Sequence, residues 1–117
     1  FIAHQDTPFC NERSGTLDDT LFYLALLRLM LPNVLLPATT ALGTIHPRGR
    51  EMGVLSGANV VMPNLSPVSV RKKYMLYDGK ICTGDEAAEC RMCLSRRMER
   101  IGCEVVTDRG DYKKRLA

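Results

Sequence analysis

The chain has 117 residues, of which 45% are hydrophobic and 25% charged, with a formal net charge of +3. This size fits one domain, and the apolar content excludes a chain that is disordered over most of its length. The small charge and the aromatic content of 6% argue against a nucleic-acid partner, and we expect the basic clusters, such as residues 71–73, to be solvated surface.

The longest apolar stretch, residues 21–31, is too short for a membrane span, which needs about 20 apolar residues. The five cysteines are an odd number, which argues against a disulfide framework, and no secretory signal is visible. We therefore expect no membrane partner, reduced thiols and a cytoplasmic location. The chain opens on the apolar run Phe1-Ile2-Ala3, typical of the end of a strand, so we expect it to be a piece of something larger.

The first predicted helix runs over residues 17–31. Thr16 can cap it, with Asp19 three residues later in a capping-box arrangement, and Pro32 ends it. The helix is apolar on nearly every side, which predicts burial by neighbours on more than one side. The apolar run over residues 34–36 predicts a strand of a parallel sheet, buried on both faces.

A polar loop is predicted over residues 37–44, followed by a second helix that begins near Pro47 and is closed by Gly57. The apolar run of residues 58–62 predicts a second buried strand. The remaining predicted segments are a loop at 63–67, a short helix at 68–77 that carries two tyrosines, a cysteine-bearing loop and a helix at 86–101.

This alternation of strands and helices predicts the α/β fold class, with parallel strands joined by right-handed crossovers. Together with the opening run, the pattern amounts to three strand–helix units. A closed (βα)8 barrel, or TIM barrel, needs roughly 250 residues, so the chain can form at most a partial barrel. A small open, doubly wound sheet is the alternative.

Polar side chains follow each predicted strand, and ligands of parallel α/β proteins bind at the carboxyl ends of strands. We therefore expect three loops to contribute to one binding site. The alternative is that the threonines cap a helix and the asparagine satisfies backbone groups. The side chains in question are His4, Gln5 and Asp6, then Thr39 and Thr40, then Met62, Asn64 and Ser66.

Three cysteines, Cys82, Cys90 and Cys93, have the spacing C-x7-C-x2-C. The last two are three residues apart on a predicted helix and so share a face. Three soft thiolates suit an iron–sulfur cluster or zinc, although a structural zinc site would need Cys10 or Cys103 as a fourth ligand. Reduced cysteines without a metal are the alternative.

Several stretches resemble a known family. They are LPATTALGT (36–44), GRE (49–51), GANVVMPN (57–64), YxxYxGKxC (74–82) and the opening FIxHxDTP (1–8). The chain resembles the C-terminal part of the radical S-adenosylmethionine (SAM) maturases of FeFe-hydrogenase, in the biotin synthase-like superfamily. Biotin synthase shares the Gly-Ala-Asn element but lacks the Pro-Ala-Thr-Thr loop. Biotin synthase-like and methylornithine synthase-like enzymes remain as alternatives.

The resemblance implies that residues 1–117 are a single domain, the last three βα units of a (βα)8 radical SAM barrel, in its biotin and thiamin synthesis associated region. It implies SAM and a 4Fe–4S cluster as cofactors. The family holds that cluster with C-x3-C-x2-C, a motif that does not occur in these 117 residues. We therefore expect no activity from the chain alone, and we expect as partners the N-terminal half of the barrel, a small-molecule substrate and the other hydrogenase maturases.

The resemblance also implies roles for individual residues. Thr39, Thr40 and Tyr74 correspond to substrate contacts, and Met62 corresponds to a residue that lines the SAM pocket. The alternative for Met62 is ordinary core packing. The family's auxiliary iron–sulfur cluster, which some members lack, would be held by Cys82, Cys90 and Cys93. A second hypothesis for the whole chain is a non-enzymatic metal-binding module that uses the same cysteines.

A partial barrel would leave sheet edges and apolar strand faces uncovered. We expect Val34, Leu36, Val60 and Met62 to face water on at least one side, and we predict self-association that buries them.

Overall fold

The computed structural model describes residues 2–74, 76–81 and 87–111. Within these ranges no helix is both long and apolar enough to cross a membrane. The elements are, in chain order, α1 (Leu17–Met30), β1 (Pro37–Ala38), α2 (Thr40–Ile45), α3 (Gly49–Leu55), β2 (Val60–Val61), α4 (Val68–Arg71), a 3-10 turn (Lys72–Tyr74) and α5 (Ala87–Glu99).

The two strands pair in parallel, with Pro37 opposite Val60 and Ala38 opposite Val61. The backbone pairing begins at Leu36, whose carbonyl accepts from the amide of Val60 at 3.1 Å. The amide of Leu36 donates to Oδ1 of Asn59 at 2.8 Å, so an asparagine side chain closes this end of the sheet. The α/β class and the parallel pairing are confirmed, whereas the first strand lies later than the predicted 34–36.

The polar segment predicted as a loop over 37–44 instead holds β1 and α2. Thr39 is the N-cap of α2, because its Oγ1 accepts from the amide of Leu42 at 3.3 Å. Leu42 is buried in the core, which anchors this short helix against the sheet. The predicted loop is therefore wrong, since one capping hydroxyl and one buried leucine suffice to order the segment.

Helix α1 is capped as predicted. Oγ1 of Thr16 accepts from the amide of Asp19 at 3.1 Å, and its hydroxyl donates to the Asp19 carboxylate at 2.6 Å. Near the other end, Nε of Arg28 donates to the carbonyl of Gly57 at 2.8 Å. Gly57 follows α3 with a positive φ of 120°, which favours glycine, as predicted for the residue that closes this helix.

The core is small and lies between α1, α2, α3 and the sheet. Leu17, Leu21 and Leu24 form the stripe of α1 that packs against it. The residues buried in it are Leu24, Leu36, Ala38, Leu42 and Ala58. Leu36 is thus covered, contrary to the expectation that it faces water, while Val34 and Val60 are half-buried and Met62 is exposed.

The opposite side of α1 carries exposed apolar residues, which we call the α1 outer face: Phe22, Leu26, Leu29 and Met30. Leu24 is the buried residue of α1. Burial of α1 on more than one side, as predicted, is therefore wrong for this chain. The core covers a single stripe of the helix, formed by Leu17, Leu21 and Leu24.

The ends of the described chain differ from the predicted pattern. Ile2 and Ala3 form no strand, and Phe1 lies outside the described residues. Instead, the carbonyl of Ala3 accepts from the amide of Asp78 at 3.3 Å. Residues 103–106 form no helix or strand, whereas the last predicted helix is confirmed and is followed by a positive φ of 78° at Gly102.

Candidate functional site

Thr39 and Met62 lie beside each other at the carboxyl edge of the sheet. Each directly follows the last paired residue of its strand, and those residues, Ala38 and Val61, are opposite each other in a parallel pair. The side chain of Thr39 is exposed and Met62 is 53% exposed. The structure thus brings together two predicted contact residues at the edge where parallel α/β proteins bind ligands.

The two threonines have different surroundings. Thr39 already accepts the amide of Leu42, but its hydroxyl proton can still be donated to a ligand. Thr40 begins α2 and is half-buried, and its carbonyl accepts from Oγ1 of Thr44 at 3.2 Å. Thr39 is therefore a helix cap, as the alternative has it. The cap uses its oxygen as an acceptor, so the hydroxyl can still donate to a ligand.

Tyr74 lies in the 3-10 turn after α4, with an exposed ring. Its carbonyl accepts from Nζ of Lys80 at 2.9 Å. His4, at the first predicted loop, is half-buried and its Nδ1 accepts from the amide of Asp6 at 3.1 Å. Its Nε2 lies 4.0 Å from Oδ1 of Asp78.

The loop after β2 is held by Asn64, Ser66 and Arg71. Oδ1 of Asn64 accepts from the amide of Ser66 at 3.2 Å, and its carbonyl accepts from Nη2 of Arg71 at 3.2 Å. Nε of Arg71 donates to the carbonyl of Ser66 at 2.8 Å. Arg71 is only 2% exposed, so the prediction that residues 71–73 are a solvated basic surface is wrong for this residue. The sequence carries no signal for its burial, because these carbonyls belong to the loop backbone and not to a side chain that a motif could reveal.

The cysteines of the predicted metal site lie in different environments. Cys90 is 3% exposed and its Sγ accepts from the amide of Asn64 at 3.3 Å, whereas Cys93 is exposed. Cys82 lies outside the described residues. In the described ranges, no group of three or more His, Cys, Asp or Glu residues could hold a metal ion. The site of Cys82, Cys90 and Cys93 therefore stays a prediction.

The thiols of Cys90 and Cys93 are of the chemical type that binds a soft metal. Thiolates are the preferred ligands of zinc and of iron–sulfur clusters, and hydrogen bonds to the sulfur are a usual part of such sites. The amide of Asn64 already supplies one to Cys90.

An ion pair that the sequence analysis missed joins α3 to α5. Arg97 donates from Nε to Oε1 of Glu51 at 2.6 Å and from Nη2 to Oε2 at 2.7 Å, a bidentate pair. Arg97 also donates to the carbonyl of Pro47. Glu51 belongs to the Gly-Arg-Glu run that carries the family resemblance, and nothing in the sequence links it to a residue 46 positions away.

Glu51 is buried, and burial by itself raises the pKa of its carboxyl. The hydrogen bonds from Arg97 and from its own backbone, together with the charges of Arg97 and Arg50, outweigh that effect and leave the pKa below its ordinary value. The carboxyl therefore stays ionised, and its ion pair with Arg97 joins α3 to α5.

Comparison with known proteins gives one decisive similarity. No family model matches the chain. The FeFe hydrogenase maturase subunit HydE of Thermotoga maritima is 45% identical to it over 114 residues, which is 97% of this chain and 33% of that protein. The chain is homologous to HydE.

This similarity confirms the resemblance that the sequence motifs indicated. The chain spans about a third of the length of HydE, and the match is consistent with the C-terminal part. Because the match covers nearly the whole chain, the strand-end residues and the cysteines of α5 all lie within the region similar to HydE.

Proposed function

We propose that residues 1–117 form a single domain that is part of a (βα)8 radical SAM barrel, and that this domain supplies part of the cavity wall for SAM and substrate in FeFe-hydrogenase maturation. The observation that carries the proposal is the 45% identity to HydE over 97% of the chain. The parallel pairing of β1 with β2 supports it, because strands of such barrels are parallel.

The strand-end residues suggest how the cavity wall would work. Met62 is exposed, and its polarizable thioether suits packing against the sulfonium and ribose of SAM. The hydroxyls of Thr39 and Thr40 can donate to an anionic group of a small-molecule substrate, and Tyr74 would contact the same substrate. The remaining barrel and the other hydrogenase maturases would be the protein partners, in the cytoplasm.

The chain by itself would not cleave SAM. Reductive cleavage of SAM takes an electron from a 4Fe–4S cluster held by C-x3-C-x2-C, and these 117 residues contain no such motif. What this chain would contribute is binding, orientation and exclusion of water. An auxiliary cluster at Cys82, Cys90 and Cys93 is part of the proposal, supported by the backbone hydrogen bond to the Cys90 sulfur.

A chimera tests this function. The matching third of Thermotoga maritima HydE is replaced by this chain, and 5′-deoxyadenosine released from SAM is measured under anaerobic, reducing conditions. We expect the chimera to cleave SAM and HydE without the segment to be inactive. A folded chimera that carries its cluster but releases no 5′-deoxyadenosine would contradict the proposal.

A matched pair of methionines tests the cavity wall within that chimera. Met62 and Met92 are both 53% exposed, but Met92 lies on α5. We expect Met62→Ala to raise the KM for SAM about tenfold, because roughly 1.4 kcal/mol of contact energy is lost. Met92→Ala should leave the KM unchanged, and equal effects of the two substitutions would remove Met62 from the SAM pocket.

The second candidate function is a non-enzymatic metal-binding module. The buried, hydrogen-bonded sulfur of Cys90 favours it independently of SAM. Anaerobic reconstitution of the 117-residue chain, followed by absorption and Mössbauer spectra, separates an iron–sulfur cluster from zinc. Metal uptake by the chain together with an inactive chimera would favour this module over the enzyme part.

A further inference from the structure

Two segments that are far apart in sequence meet beside α2. The amide of Asp78 donates to the carbonyl of Ala3 at 3.3 Å. The next residue, Gly79, lies against α2, since a Cβ there would be 3.6 Å from Cγ2 of Thr44. The segment of residues 76–80 therefore connects the opening residues of the chain to the helix that begins at the carboxyl edge of the sheet.

Tyr74 is joined to the same segment through its carbonyl. This oxygen accepts from Nζ of Lys80 at 2.9 Å and from the amide of Leu76 at 3.0 Å. The position of Tyr74 therefore depends on where residues 76–80 are held.

The imidazole of His4 lies between two carboxylates, and its side chain is only 19% exposed. Its Nε2 lies 4.0 Å from Oδ1 of Asp78, and its Nδ1 lies 3.9 Å from Oδ2 of Asp6. Nδ1 accepts the amide of Asp6 at 3.1 Å, so the neutral ring carries its proton on Nε2, the nitrogen nearer to Asp78. Within the described part of the chain, these two carboxylates are the charged groups within 4.0 Å of the ring.

We propose that His4 is a pH-sensitive positioning residue, whose protonation strengthens the attachment of residues 76–80 to the opening residues of the chain. A histidine side chain changes its charge between pH 5 and 8, where aspartates are ionised. Protonation places a positive charge opposite the carboxylate of Asp78. It also adds a proton to Nδ1, which can then no longer accept the amide of Asp6 and has the Asp6 carboxylate as its partner instead.

The attachment itself does not depend on SAM or on the rest of a barrel. Its bearing on substrate binding rests on the proposed function, in which Tyr74 contacts the substrate. A slightly acidic medium would then hold Tyr74 more firmly beside α2, because the segment to which its carbonyl is bonded is held more firmly.

The test follows the ¹⁵N-labelled 117-residue chain by NMR from about pH 7.5 to about pH 5.5. We expect the amide proton of Asp6 to move upfield as it loses its acceptor. The amide of Asp78 should exchange with solvent about threefold more slowly at the lower pH, after correction for the intrinsic pH dependence of exchange. The ring resonances of Tyr74 should shift with the same midpoint as those of His4.

An asparagine at position 78 separates the two effects of protonation. Asp78→Asn keeps the backbone bond to Ala3 but removes the charge that faces His4. The amide of residue 78 and the ring of Tyr74 should then no longer respond to pH, whereas the amide of Asp6 should still move upfield. A merely structural role of His4 would not produce this division.

His46 provides the matched control. Its Nδ1 accepts the amide of Arg48 at 3.1 Å, the same arrangement as in His4, but the ion pairs of the described residues include none of His46. We expect His46→Gln to leave the response of the Asp78 amide unchanged and His4→Gln to abolish it.

An Asp78 amide with the same corrected exchange rate at both ends of the titration would overturn the inference, and so would a response that persists in Asp78→Asn or His4→Gln. An inactive chimera together with a pH-responsive Asp78 amide would instead count against the SAM function and leave this inference standing.

Discussion

Glu51 and Arg97 illustrate how single residues stabilise this chain. Because the pKa of the folded Glu51 carboxyl is lowered, its ionised form contributes stability in full above the ordinary glutamate pKa of 4.5. That stability is lost as the pH falls through the lowered pKa. We expect the free energy of unfolding to decrease below about pH 4.5 and the decrease to be smaller in Glu51→Gln, as measured by urea denaturation at several pH values.

Glu99 provides the matched control, since it is exposed on α5, close to Arg97 in sequence. Glu99→Gln should keep the acid dependence of the unaltered chain. At neutral pH, Glu51→Gln should cost about 2–4 kcal/mol, because it leaves the guanidinium of Arg97 half-buried without its carboxylate. Identical pH profiles for Glu51→Gln and the unaltered chain would show that the pair does not govern acid stability.

At the scale of elements, the junction of α2 with α3 depends on a glycine. A Cβ at Gly49, the first residue of α3, would overlap the backbone carbonyl of Leu42 in α2. A Cβ at Gly43 would meet the flexible end of Ile81 at 2.9 Å, which can move aside. Both glycines are helical, so alanine would gain the same helix propensity at either site.

We therefore expect Gly49→Ala to cost about 3 kcal/mol or more and Gly43→Ala about 1 kcal/mol or less, measured by chemical denaturation. The two costs differ because the backbone carbonyl of Leu42 can move away from a new Cβ only if α2 and α3 separate. Equal costs at the two positions would mean that the α2–α3 junction adapts without strain.

At the scale of the whole molecule, the α1 outer face is an exposed apolar surface. The other side of the same helix packs on the core. Leu29 is 82% exposed and neighbours Met30 on this face. Exposed apolar patches promote association, so we predict that the chain self-associates. Sedimentation velocity should show a concentration-dependent dimer that Leu29→Lys weakens.

Leu76→Lys is the control for this prediction, because Leu76 is also exposed but lies outside α1. It should leave the association unchanged. A monomer at high concentration for the unaltered chain would contradict self-association, and an equal effect of both substitutions would assign it to some other surface.

The elements that were predicted correctly depend on residues that lie within one or two helical turns of each other. Thr16 caps α1 through Asp19, and Gly57 closes α3 with a positive φ. For Thr39 the sequence predicts a loop residue at a binding site and leaves helix capping as the alternative, and the structure shows the cap, with Leu42 buried in the core. Burial of Arg71 and the partner of Glu51 were missed because they depend on residues brought together by packing.

The sequence by itself determined where α1 and α5 lie, the α/β class and the similarity to radical SAM maturases, because caps, apolar runs and long motifs are local properties of the chain. Only the tertiary structure decided that Thr39 and Met62 share one edge, that Cys90 accepts the amide of Asn64 and that Glu51 meets Arg97. Strand register and helix packing bring together residues far apart in sequence, and those contacts are chosen by burial and hydrogen bonding over the whole molecule.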